Sequence, residues 1–291
     1  MIDISSRRKV AVTTLSNNVN PKNSKAIEEL CDYFRSLDLE VVVSNYLYGN
    51  NIRGGSAKEV AEEFVSYYKD EDISFVFDVS GGDIANETLE YIDFNVIGNS
   101  PAVYCGYSDL TTIIDSIYSQ TGRKSILYQI KNVINDEASR EWFTKMVKTN
   151  TMFDRESPLM NFEYRTVRGG KNGETSIEGT LMGGNLRCLL KLAGTKYMPS
   201  FKDKILFLES MGGRGQQTLT AISQYKQLGI LDEVKGIVLG SFTIMEQEKL
   251  KPLVEEMMYE RTSCPLIKTG EIGHQPNSKA LVIGDYYKFS L

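Results

Sequence analysis

Val103-Tyr104-Cys105-Gly106-Tyr107-Ser108-Asp109-Leu110-Thr111 reads as a strand, a tight turn and the start of a helix in one continuous run. Pro101–Cys105 is a short, mostly apolar strand, Gly106-x-Ser108 is the turn, and helical patterning runs from Asp109 to Gln120. A strand feeding straight into a helix is half of a βαβ crossover, so this stretch implies a parallel sheet covered by helices. The surrounding sequence repeats the alternation. Lys9–Thr14 is strand-like, and Asn23–Leu37 is a helix with Ile27, Leu30, Cys31 and Phe34 on one face. Glu40–Val43 is the next strand. Ser56-x-x-Glu59 has the form of a capping box, opening a helix with Val60, Phe64 and Tyr67 on its apolar side. Ile73–Val79 is a buried strand ending in Ser80-Gly81-Gly82. In such sheets ligands bind beyond the C-terminal ends of the strands, where both Ser80-Gly81-Gly82 and Gly106-Tyr107-Ser108 fall.

Beyond Asp136 the pattern weakens. Glu137–Lys148 is amphipathic, with Trp142 and Phe143 expected to pack, and a polar, turn-rich stretch follows from Pro158 to Arg168-Gly169-Gly170-Lys171-Asn172-Gly173. Residues 136–173 therefore read as a connection between an N-terminal α/β domain, 1–135, and a smaller C-terminal α/β domain, 174–291. The second domain mixes strands (Lys204–Leu208, Gly236–Leu239, Leu266–Thr269, Ala280–Ile283, Tyr286–Phe289) with helices (Asn185–Leu192, Gln216–Leu228, Met245–Arg261). The expected class is α/β, with a mixed sheet in the second domain.

A chain of 291 residues, 41% hydrophobic and 24% charged, can bury two cores of ordinary size. Its net charge of −5 (33 basic against 38 acidic side chains) comes without a Lys/Arg block, which argues against a nucleic-acid partner. No stretch reads as a membrane span. The apolar run after Arg7, Arg8 and Lys9 is too short and too polar for a signal peptide, so a cytoplasmic location is expected. Cys31, Cys105, Cys188 and Cys264 are widely separated and form no C-x-x-C pair. Buried free thiols are expected for most of them, and no metal or cofactor is indicated.

The chain has one histidine, His274, in Gly270-Glu271-Ile272-Gly273-His274-Gln275-Pro276. Any imidazole acid–base chemistry must use it. The turn at Ser108 would raise its hydroxyl above the sheet edge with helix N-terminal amides behind it, an arrangement suited to a nucleophile; taken alone, the motif reads more readily as an N-cap at Ser108 or a plain turn at Gly106. Glu209 ends the buried run Ile205-Leu206-Phe207-Leu208 and could orient an imidazole, or simply cap the next loop. Ser80-Gly81-Gly82 could present backbone N–H groups to a reacting carbonyl, or be no more than a turn. Met211-Gly212-Gly213-Arg214-Gly215 has the look of an anion cradle, with a flexible loop as the alternative, and it matches neither a Walker A nor a G-x-G-x-x-G motif.

Taken in order, Gly106-Tyr107-Ser108-Asp109, Phe207-Leu208-Glu209 and Gly273-His274 resemble the three signatures of the LD-carboxypeptidase family of serine peptidases, which includes the microcin C immunity peptidases. Gly81-Gly82 with Leu89-Glu90-Tyr91-Ile92-Asp93, Leu181-Met182-Gly183-Gly184-Asn185-Leu186, Gly194-Thr195-Lys196-Tyr197-x-Pro199 and Gly236-Ile237-Val238-Leu239-Gly240-x-Phe242 extend the similarity over nearly the whole chain. The resemblance implies a flavodoxin-like N-terminal domain, a C-terminal α/β domain and a homodimer without metal or cofactor. It implies Ser108 as nucleophile, His274 as general base and Glu209 as its orienting acid. The oxyanion hole would use backbone N–H groups of Asp109 and the Gly81-Gly82 turn. The substrates implied are the L,D-bond of a murein tetrapeptide or the amide of an aminoacyl-nucleotide antibiotic. Ser80, Gly213 and Arg214 are candidates for substrate contact. The sequence departs from the family at Ser80, in place of its Arg-Gly-Gly arginine, at the Ser210–Gly215 loop after Glu209, and near Ile126–Ile130, where a His-Gly-Pro is missing. All three departures lie on the substrate side. The expected activity is hydrolysis of a small peptide-like amide bearing an anionic group; the alternative is an inactive relative that binds a small anionic ligand.

Overall fold

The computed structural model of the protein describes residues 9–49, 52–149, 157–170, 174–249 and 251–291. The first half contributes β1 (Lys9–Thr13), α1 (Ser24–Arg35), β2 (Glu40–Val43), α2 (Ala57–Lys69), β3 (Ile73–Asp78), α3 (Phe94–Asn99), β4 (Val103–Gly106), α4 (Thr111–Thr121), β5 (Ser125–Leu127), α5 (Asn132–Asn135) and α6 (Glu137–Thr149). The second contributes β6 (Arg165–Arg168), β7 (Ser176–Asn185), α7 (Leu186–Leu189), β8 (Ile205–Ser210), α8 (Gly215–Gln227), α9 (Ile230–Glu233), β9 (Gly236–Phe242), α10 (Thr243–Gln247), α11 (Lys251–Arg261), β10 (Leu266–Lys268), β11 (Leu281–Ile283) and β12 (Tyr286–Ser290).

Two six-stranded sheets result. The first has the order β11-β5-β4-β3-β1-β2, in which the five strands from β5 to β2 are parallel in the flavodoxin-like order and β11 is antiparallel. The second has the order β12-β7-β8-β9-β10-β6, parallel from β7 to β10 with antiparallel strands at both edges. Central strands covered on both faces must be apolar throughout, and β3, β8 and β9 are buried along their whole length. Phe34 of α1 and Phe143 of α6 cover one face of the first sheet, with ring centroids 5.2 Å apart, and Phe34 stacks on Phe77 at 5.0 Å. The opposite face carries α2 and α4, and its apolar core continues into the second sheet.

The elements cut across the sequence boundaries at 135 and 174. Within 136–173, α6 packs Trp142, Phe143 and Met146 into the first domain's core, whereas β6 pairs with β10 in the second sheet. Residues 281–283 leave the second domain to pair with β5. The helix expected over Met245–Arg261 is two helices: Lys249 takes φ 59°, a left-handed conformation that cannot continue an α-helix. Strand β7 has no counterpart among the sequence expectations.

The two domains meet along α4. Asp115 Oδ1 accepts the Gly183 N–H at 3.0 Å, Thr111 Oγ1 accepts that of Asn185 at 2.8 Å, and Thr112 Oγ1 donates to the Cys188 carbonyl at 3.2 Å. This closeness demands glycine. A Cβ on Gly184 would fall 2.4 Å from Thr111 Oγ1; Gly183, at φ 110°, is needed for its own sheet, where the Phe207 carbonyl oxygen of β8 lies 2.3 Å from where its Cβ would stand. Asp115 is wholly buried, and its Oδ2 has no hydrogen-bond partner among the described residues. Burial therefore pushes its carboxyl up to about 7, the Gly183 N–H opposing only in part. In the unfolded chain an aspartate titrates near about 4. Between those values the folded state holds a proton that the unfolded state has lost, so stability falls as pH rises through the window. Urea unfolding of wild type and Asp115→Asn at several pH values is expected to show a shallower decline between about pH 4 and 7 in the variant, because its share of the proton linkage is gone; parallel curves would refute this.

Candidate active site

The turn after β4 is backbone-strained at one residue. Ser108 has φ 60°, a left-handed conformation that costs a residue with a side chain on the order of 1–3 kcal/mol. Gly106 makes room for it: a Cβ there would fall 2.9 Å from that of Leu110, whose side chain folds back under the turn and whose N–H bonds the Tyr107 carbonyl at 3.2 Å. Ser108 opens a short 3-10 turn, Ser108–Leu110, that runs into α4 and stays partly exposed between the buried Tyr107 and Asp109.

Glu209 lies at the C-terminal end of β8 and is 1% exposed. Its Oε1 accepts Asn185 Nδ2 at 3.1 Å, and its Oε2 stands 2.7 Å from His274 Nδ1. That is an ion-pair distance, although the N–H direction is not that of an aligned hydrogen bond. His274 Nε2 is buried with no hydrogen-bond partner among the described residues. The imidazole meets the Tyr107 ring edge-on, centroids 4.9 Å apart at 64°, so the histidine rests on the residue immediately before Ser108. Burial and the Glu209 charge raise the Tyr107 phenol well above its usual range, which keeps that ring neutral beside the pair. Glycines bring the strand ends together here. A Cβ on Gly240 would lie 2.9 Å from that of Glu209, and one on Gly273 would lie 2.6 Å from that of Ser241. The Gly273 N–H is held by Ser278 Oγ at 3.1 Å.

The Gly81-Gly82 turn follows β3 and is built from below by Asp78. That carboxylate accepts Leu15 N at 2.9 Å and the Tyr104 hydroxyl at 3.1 Å through Oδ2. Its Oδ1 accepts Ser80 N at 2.9 Å and Ser80 Oγ at 2.6 Å. Burial raises Asp78 to about 6 despite these donors. Ser80 Oγ also accepts Ser16 N at 3.1 Å, so its hydroxyl braces the turn. Gly81 forms an isolated bridge with Asn17, and Gly82, at φ 130°, lies where a Cβ would strike the Asn17 amide at 2.2 Å.

The Met211–Gly215 loop is drawn inward. Ser210 Oγ donates to the Gly212 carbonyl at 2.5 Å, Ile244 N to that of Met211 at 3.1 Å, and Gly213 has φ 99°. Arg214 is largely exposed, and its Nε stands 3.1 Å from Glu248 Oε1, so this cation is already paired. Arg187 is the contrasting case. It is exposed and has no charged partner among the described residues, its N–H bonds Asn185 Oδ1 at 3.2 Å, and its Nη1 lies 4.0 Å from where a Gly212 Cβ would be. Sequence reading assigned no role to Asn185, Arg187 or Tyr107. Asn185, standing before a short helix, carries an N-cap signal; nothing local marks the other two. Trp142 packs edge-to-face with Tyr128, and all four cysteines are free thiols, three of them buried. No described helix is long and apolar enough to cross a membrane.

Residues 10–128 match the LD-carboxypeptidase N-terminal domain and residues 178–289 the LD-carboxypeptidase C-terminal domain. The chain belongs to the LD-carboxypeptidase family. Relatives include the microcin C7 self-immunity protein MccF of Escherichia coli, 27% identical over 233 residues that cover 70% of this chain and 67% of that one. The probable murein peptide carboxypeptidase of Bacillus subtilis is 24% identical over 285 residues, 91% of this chain and 84% of that one. Among solved structures, microcin C7 self-immunity protein MccF in complex with aspartyl sulfamoyl adenosine superposes with a TM-score of 0.79 at 19% identity, covering 97% of this chain and 92% of its own. That likeness establishes the shared fold. LD-carboxypeptidases are peptidases, so amide hydrolysis is the class of chemistry this fold serves.

Asn185 joins two parts of the LD-carboxypeptidase architecture: its Oδ1 caps α7 and its Nδ2 reaches Glu209. Asn185→Ala should cost about 1–3 kcal/mol in urea unfolding, from a lost cap and a buried carboxylate oxygen left without its donor. A loss below about 0.5 kcal/mol would show that the contact carries little.

Proposed function

We propose that this protein is a serine peptidase that cleaves a small peptide-like amide carrying an anionic group. Ser108 is the nucleophile, His274 the general base and Glu209 the acid that orients the imidazole. The observation that carries the reading is the Glu209–His274 contact of 2.7 Å, with the imidazole seated on Tyr107 next to a strained, partly exposed serine. With Nδ1 2.7 Å from the Glu209 carboxylate, Nε2 is the nitrogen left to take the serine proton, and within the protein it has no competing partner among the described residues.

In this mechanism Ser108 Oγ attacks the scissile carbonyl as its proton passes to His274 Nε2. Glu209 stabilises the imidazolium, and the oxyanion is met by backbone N–H groups of Asp109 and of the Gly81-Gly82 turn. The imidazolium then protonates the leaving nitrogen as the C–N bond breaks, giving an acyl-enzyme and a free amine. Water, deprotonated by the same imidazole, hydrolyses the ester and restores Ser108. The two substrate classes that fit are a murein tetrapeptide cut at its L,D-bond and an aminoacyl-nucleotide. Kinship with a murein peptide carboxypeptidase and with an immunity protein solved with an aminoacyl sulfamoyl nucleotide supports both. Arg187, exposed and without a charged partner among the described residues, is a cation available for the substrate's negative charge, beside Arg214, which pairs with Glu248 at the surface.

Mass spectrometry after incubation with murein tetrapeptide and, separately, with an aminoacyl sulfamoyl adenosine should show release of D-alanine or loss of the aminoacyl group. Ser108→Ala and His274→Ala should each lower kcat/KM by about 10⁴-fold or more, and the double variant by little beyond either alone. Full activity in Ser108→Ala would end the proposal. Arg187→Ala should raise KM about tenfold or more with kcat within a few-fold, the pattern of lost uniform binding. An unchanged KM would remove Arg187 from the substrate's path.

A further inference from the structure

Lys191 belongs to the second domain, in the 3-10 turn Leu190–Leu192 after α7, yet its ammonium is bonded into the first. It donates to Asp109 Oδ1 and, at 2.7 Å, to the carbonyl oxygen of Asp83. Asp109 is the residue after Ser108, and Asp83 is the residue after Gly81-Gly82. The Asp109 carboxylate is wholly buried, and its other oxygen accepts Ser16 Oγ at 2.6 Å and the Ala85 N–H at 3.0 Å. Asp83 is held a second time, its N–H donating to Asn17 Oδ1 at 3.1 Å. One ammonium thus bridges the two backbone segments expected to form the oxyanion hole, and it comes from the opposite domain.

We propose that Lys191 is a positioning residue: it sets the separation of the Gly81-Gly82 and Ser108-Asp109 turns, so that the oxyanion hole is complete only while the second domain is docked. The proposal rests on the reading of Ser108 as nucleophile. An oxyanion hole works through N–H groups aimed at a single point, and small displacements of either cost rate. Lys191 contacts main chain and a buried carboxylate, so its loss should act on the transition state more than on substrate binding. Simple removal leaves Asp109 buried without its counter-charge, which can compromise folding. The double variant Lys191→Met/Asp109→Asn removes both charges and separates positioning from that penalty.

The test uses the full-length protein in three forms: wild type, Lys191→Met/Asp109→Asn and Lys191→Arg. It reads amide hydrogen exchange in peptides spanning 79–86 and 106–112, the rate at which a fluorophosphonate labels Ser108, and kcat and KM for amide hydrolysis. In the double variant, exchange in both segments should accelerate about tenfold or more while cooperative urea unfolding is retained. Labelling and kcat should each fall about tenfold or more with KM within threefold. Lys191→Arg, which keeps a cation at the bridge, should recover at least part of both the protection and the rate. Wild-type exchange and labelling in the double variant, alongside an active wild type, would overturn the clamp alone. A wild type that neither labels nor hydrolyses would sink the Ser108 reading and, with it, the oxyanion role of Lys191.

Discussion

The docking of α4 onto β7 is the constraint from which the rest of the molecule follows. Thr111, Thr112 and Asp115 offer side chains to the backbone of the second domain, and Gly184 lets that backbone come close enough to use them. An apolar interface would hold the two domains together with less definite register. Here each hydrogen bond is directional, and a buried donor left unmatched would cost roughly 1–3 kcal/mol. The helix docked in this way is the one that begins beneath Ser108, and the strand it docks against ends at Asn185, which bonds Glu209. Relative placement of the serine and the carboxylate is therefore a property of one contact surface.

Around this seam the charged groups are organised by pairing. Lys191 answers Asp109, Lys268 bonds the Gly240 carbonyl and Glu246, and Arg214 lies beside Glu248. These cations are thus engaged within the protein, whereas Arg187 is exposed and has no charged partner among the described residues. The positions read from the sequence as departures fit this division. Ser80 turns its hydroxyl to Asp78 and to the Ser16 N–H and stiffens a turn. The glycine loop after Glu209 folds its carbonyl groups toward its own neighbours.

The strand–helix alternation of the first domain was legible because each element carries its own periodicity and boundary chemistry. Ser56 and Glu59 form the capping box their spacing predicts, and Ile27, Leu30, Cys31 and Phe34 form the buried face of α1. β7 was not legible: Gly179, Gly183 and Gly184 erase strand propensity at positions where only a neighbouring element explains the absence of a side chain. β6, with arginines at both ends and little burial, likewise lacks a local signal. In the candidate site, Ser108, Glu209 and His274 could be picked out because their order along the chain matches a family pattern. Tyr107 and Lys191 matter through contacts with residues distant in sequence, which no local pattern reports, and Arg187 stands out only by its exposure and lack of a charged partner among the described residues.

His274 lies on a segment strung between the two sheets. β10 ends at Lys268 in the second sheet, and β11 begins at Leu281 in the first. While the polypeptide is being made, β5 must wait with an open edge until residues 281–283 emerge, a pairing of high sequence separation and hence slow to form. Such an edge is a hazard for nascent chains, because unpaired strands recruit partners. The same delay has a protective side. Ser108 is synthesised early, but the imidazole proposed to activate it is fixed only when the last strands close both sheets, so an unfinished chain would carry a serine without its base.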